Sequence, residues 1–131
     1  MTQYYVAWWN VENLFDVEIA PRSDKLKRTL AKELKGWNDA ILDKKLVQLS
    51  KIITLMNNGA GPDILGVCEI ENQAVLEKLV ATISLPRKYK IAHEDAKDGR
   101  GIDVAFIYDS ELFELENKFS HFIVKRNATR D

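Results

Sequence analysis

Between Asp39 and Met56, apolar residues recur at spacings of 4, 3, 4 and 3: Leu42, Leu46, Leu49, Ile53 and Met56. A strand cannot place such a set on one side, but an α-helix does, as a stripe that faces a core. The segments flanking it have another character. "QYYVAWW", near the start, is aromatic and β-branched and reads as a strand. "DILGVC", after the breakers of "NNGAGP", is a short continuous apolar run and reads as a strand buried on both faces. A one-sided helix between two strands needs a sheet to lie on, so this stretch calls for a layered fold of both kinds.

The remaining elements follow the same logic. "KLKRTLAKELK" sets Leu26, Leu30 and Leu34 four apart, with Ser23 or Asp24 as cap and Gly36 as stop. Its basic residues, Lys25, Lys27, Arg28, Lys32 and Lys35, read as a solvated face rather than a phosphate-binding one. Asn72 can cap a third helix, striped by Leu76, Leu79, Val80 and Ile83 and followed by Pro86. Beyond Pro86 the period changes. "KYKIAH", "IDVAFIY", "DSELFELEN" and "KFSHFIVK" read as strands, with "KDGRG" as a turn. The expected order is β-α-α-β-α-β-β-β-β. The fold class is α+β, a mixed sheet with helices on one face, in one domain spanning residues 1–131.

Charge narrows the function classes. The 19 basic and 20 acidic residues give a net charge of −1, so any phosphate-binding surface must be local. Cys68 is the only cysteine, which excludes an internal disulfide. No apolar run approaches the roughly 20 residues of a membrane span, and no leader is visible, so a cytoplasmic location is expected.

Polar residues stand where two apolar strands are expected to stop. "VAWW" runs into Asn10, followed by Glu12 and Asn13, and "ILGVC" runs into Glu69 and Glu71. If the two strands are neighbours, Asn10 and Glu69 emerge at one edge. A carboxylate and an amide carbonyl are hard oxygen ligands suited to Mg²⁺ or Mn²⁺. Glu12 and Glu71 are near enough in sequence to add negative charge. Each residue alone is far more often a cap or a solvated side chain, and the two strand ends together shift that balance only modestly. In "DGRGID", Arg100 lies between glycines just before a strand, where a guanidinium can reach a phosphate or simply occupy a surface turn.

Taken in order, "WNVENLFD", "PDILGVCEIEN" and "DGRGIDVAFIYD" resemble the endonuclease/exonuclease/phosphatase superfamily, in particular its bacterial endonuclease-like branch. The resemblance runs from about residue 4 to the end of the chain. It implies half of a four-layer α/β-sandwich. It makes Asn10 an active-site residue that orients catalytic groups or the attacking water, and Glu69 the principal metal ligand, with Glu12 assisting at the metal. Arg100 matches a family position, where it is expected to contact substrate phosphate. The cofactor implied is Mg²⁺ or Mn²⁺.

The chain also departs from the family. Relatives run to about twice this length and carry a "GDFN"-like Asp–Asn pair and a terminal Asp–His pair. Neither motif is present, since His93 follows Ala92 and His121 follows Ser120. The expectation is therefore an N-terminal half, inactive alone and prone to self-association. The whole protein is expected to be a metal-dependent phosphoesterase, foremost a nuclease acting on nucleic acid. The alternatives are a non-catalytic binding or scaffold piece and a small-molecule or lipid phosphatase.

Overall fold

The computed structural model describes residues 3–93 and 103–116. Its elements are β1 (Val6–Leu14), α1 (Asp24–Leu34), α2 (Asp39–Leu55), β2 (Ile64–Ile70), α3 (Gln73–Thr82), β3 (Tyr89–His93) and β4 (Asp103–Asp109), with a short 3₁₀ turn at Asn57–Gly59. The sheet order is β1-β2-β4-β3. β1 and β2 are parallel, while β2–β4 and β3–β4 are antiparallel, so the sheet is mixed. The fold is α+β, as the residue pattern predicts.

All three helices begin on a side-chain cap. Ser23, Asn38 and Asn72 each accept a hydrogen bond from the backbone N–H three residues on. The α2 stripe is buried as expected, and it packs with Val75, Leu76 and Leu79 of α3 against Val11, Leu65, Val67, Ala105 and Ile107 of the sheet. α1 turns Leu30 and Leu34 onto Phe15 in a second, smaller cluster, and its basic residues lie exposed.

Among the described residues no helix covers the other sheet face. Val6 and Trp8 of β1 and Val104 and Phe106 of β4 stand exposed there. Between them Gly66 is buried because it has no side chain. A Cβ at that position would come within 2.3 Å of the Trp8 ring and 3.0 Å of Phe106, the two rings that close over it. Burial of β2 on both faces is therefore met in part: Leu65 and Val67 are fully buried on the helix side, whereas Ile64 and Cys68 are half-buried on the other.

Two expectations about strands are corrected. β1 does not stop at Asn10 but continues to Leu14. The described part of "DSELFELEN", residues 109–116, is not a strand: Asp109 ends β4, and Leu112 and Phe113 both donate to its carbonyl in a turn. The Asp109 carboxylate caps that turn by accepting from the Glu111 N–H at 3.0 Å. The expected strand "KFSHFIVK", with His121, and the turn carrying Arg100 lie outside the described residues. Among the described residues no helix is long and apolar enough to cross a membrane.

Candidate active site

Parallel pairing runs in register from Val6↔Ile64 to Asn10↔Cys68 and resumes at Leu14↔Ile70. Three residues of β1 thus oppose one of β2. On the other side of β2, Cys68↔Val104 is followed by Ile70↔Asp103, which leaves Glu69 without a partner in the ladder. Both irregularities fall at the same level of the sheet. Glu12, Asn13 and Glu69 take positive φ values of 54°, 54° and 63°, a region that side-chain-bearing residues seldom enter. A bulge re-aims the side chain it contains. Without this one, strict alternation would send Glu69 to the helix side between buried neighbours.

The bulges bring the sequence candidates together. The Asn10 Nδ2 donates to Glu69 Oε2, and the Asn10 Oδ1 accepts from the Glu12 N–H at 2.8 Å. One amide thereby fixes the carboxylate on its neighbour strand and the turn of its own. The Glu12 carbonyl in turn accepts from Lys45 of α2. Partial burial pulls the Lys45 ammonium below its usual pKa, while the charges of Glu12 and Glu69 pull it back up. A groove of about 530 Å³ is lined by Asn10, Glu12 and Lys45 and walled by Trp9, Trp37 and Ile41; Glu69 is not among its lining residues.

Glu71 does not join them. It is buried and takes a bidentate contact from Arg22, with Nε at 2.6 Å and Nη2 at 2.8 Å. The same guanidinium caps the carbonyls of Asp16, Val17, Glu18 and Ala20, so this ion pair shapes the loop after β1. Its charge is spent internally. The His93 Nε2 lies 2.8 Å from Asp103 Oδ2, with both residues buried. No Asp–His sequence motif marks this pair; the antiparallel β3–β4 pairing assembles it. Hairpin geometry was the signal available for it. Lys45 had a signal too: it falls three after Leu42 and four before Leu49, on the buried side of its helix.

The donor set at the bulge is the Glu69 carboxylate, the Asn10 amide and Glu12. Among the described residues no group of three or more His, Cys, Asp or Glu side chains could cage a metal. The Asn10 amide is engaged with Glu69 and the Glu12 N–H, so the groups that could hold a hard ion such as Mg²⁺, with water in its remaining positions, are the Glu69 and Glu12 carboxylates.

A family model described as "Endonuclease/Exonuclease/phosphatase family" matches residues 5–131. The chain belongs to the endonuclease/exonuclease/phosphatase family. No curated protein and no solved structure gives a significant match. The family match covers all three motifs that carry the resemblance, and the structure sets two of them, around Asn10 and Glu69, side by side.

Proposed function

We propose that the complete protein carries out metal-dependent hydrolysis of phosphate esters, with the phosphodiester of a nucleic acid as substrate, and that this chain supplies part of the site. The observation that supports this most directly is the meeting of Asn10 and Glu69 at coincident bulges of adjacent strands, in a chain whose family acts on phosphate esters. Glu69 is the carboxylate that would hold the ion, with Glu12 beside it. Asn10 holds Glu69 in orientation through Nδ2. A bound Mg²⁺ or Mn²⁺ would supply charge stabilisation to the phosphoryl oxygens. Arg100, outside the described residues, is assigned a contact to substrate phosphate.

The test has two readouts. Mn²⁺ added to the ¹⁵N-labelled chain is expected to broaden the amide resonances of Asn10 and Glu69. Binding is expected to be weak, because few protein oxygens replace the waters of the ion, and Glu69→Ala is expected to abolish it. Hydrolysis of plasmid DNA and of bis(p-nitrophenyl) phosphate by the complete protein is expected to require the metal, and Glu69→Ala there is expected to lower it by about 100-fold or more. Tight Mn²⁺ binding that survives Glu69→Ala would overturn the reading.

A further inference from the structure

Lys45 stands in an unusual place for a lysine. It shares a side of α2 with Leu42 and Leu49, both buried, whereas the neighbouring Lys44 is exposed. A lysine in this position lays its stem along apolar surface and can deliver its head only to the edge of the core. Here that edge is the β1 bulge. The ammonium donates to the Glu12 carbonyl and lies 6.0 Å from the centre of the Trp37 ring. The Trp37 ring is itself held by its indole N–H, which donates to the Phe15 carbonyl at 2.8 Å.

An ammonium carries three donors. One reaches the Glu12 carbonyl, a neutral acceptor. Among the described residues Lys45 forms no ion pair within contact distance, although the charges of Glu12 and Glu69 act on it from farther away. Lys45 lines the groove between α2 and β1, which is the outer strand among the described residues, and Asn10 and Glu12 line the same groove. A phosphoryl group entering this groove meets the negative charge that Glu12 and Glu69 place around Lys45, and an anion there needs a fixed cation beside it.

We propose that Lys45 is a phosphate-binding residue of this site, holding a non-bridging phosphoryl oxygen in the groove that Asn10 and Glu12 line, next to the Asn10–Glu69 pair. The inference rests on the phosphoester reading. It assigns the oxyanion contact to a helix residue that none of the three motifs contains. The carbonyl bond sets the ammonium's position, and the Trp37 and Ile41 walls receive the remainder of the ester.

The experiment is a titration of the ¹⁵N-labelled chain with inorganic phosphate at fixed ionic strength, read at the Trp37 indole and Glu12 amide resonances. Lys45→Met keeps the stem, and the fingerprint spectrum establishes that it is folded. It is expected to weaken phosphate binding by about fivefold or more, as loss of a charge-assisted hydrogen bond should. Lys45→Arg is expected to restore most of the affinity, and Lys51→Met, an exposed charge on the same helix, to change nothing. Wild-type affinity in Lys45→Met, an equal loss in Lys51→Met, or no phosphate effect on the wild type would each overturn the proposal. Mn²⁺ broadening at Glu69 reports separately on the phosphoester reading. Broadening with phosphate indifferent to Lys45 removes Lys45 alone. Lys45-dependent phosphate binding without broadening keeps the anion site and removes the metal.

Discussion

Glu69 holds a backbone conformation that costs roughly 1–3 kcal/mol for a residue with a side chain. Glycine would adopt it freely, so a carboxylate kept at that position trades stability for placement. This gives a prediction that separates backbone from side chain. Glu69→Gly is expected to be more stable than Glu69→Ala by about 1 kcal/mol, measured by urea unfolding, because only alanine retains the strain. Equal stabilities would show that the φ of 63° carries no cost. Glu69 as a candidate was legible in the sequence, since a carboxylate following "ILGVC" is conspicuous. The bulge was not, because nothing in "EIEN" announces a positive φ. Glu71 was misplaced for a related reason: its partner, Arg22, lies 49 residues away, and long-range pairing leaves no local mark.

At the scale of elements, the end of the sheet remote from Glu69 is held by charge. Arg87 reaches Asp63 at 2.8 Å and Asp109 at 3.0 Å, tying the start of β2 to the end of β4. The Tyr5 N–H, 2.7 Å from Asp63 Oδ2, adds the start of β1. That backbone hydrogen bond, and then Arg87, hold the Asp63 carboxyl below its usual range despite its burial. The folded pKa is depressed, so the contribution is present above the unfolded value of about 3.9 and is lost as pH falls through the folded value. Asp63→Asn is therefore expected to lower stability at pH 7 by roughly 1–3 kcal/mol, and the difference is expected to shrink progressively below about pH 4. Thermal melts from pH 7 to pH 2 measure it, and a difference independent of pH would contradict it. The elements themselves were largely legible. The α2 stripe was readable because its period is sustained over a long helix, and the caps because Ser and Asn stood at the right offsets. β1 was cut short because "VEN" interrupts the alternation that marks a strand. "DSELFELEN" misled through apolar residues that alternate, although the chain turns at Asp109.

For the whole molecule, the informative surface is the sheet face without helices. Trp8 is 58% exposed, Val6 64% and Phe106 44%, adjacent across three strands. Apolar patches of this kind drive association. The chain is expected to show a sedimentation coefficient that rises with concentration and to bind a hydrophobic dye, with Trp8→Ser reducing both. A monodisperse monomer that binds no dye would count against it.

The two ends of β2 are built for opposite purposes. At Ile64 the strand is locked by the Asp63–Arg87 clamp, and five residues later its ladder is interrupted at Glu69. Amide hydrogen exchange should therefore follow a gradient along a single strand. The Leu65 and Val67 amides should open only with global unfolding, whereas exchange near Glu69 should proceed through local openings of much lower free energy. The strand would behave as a cantilever, clamped where it bears no candidate chemistry and compliant where a substrate would press on it.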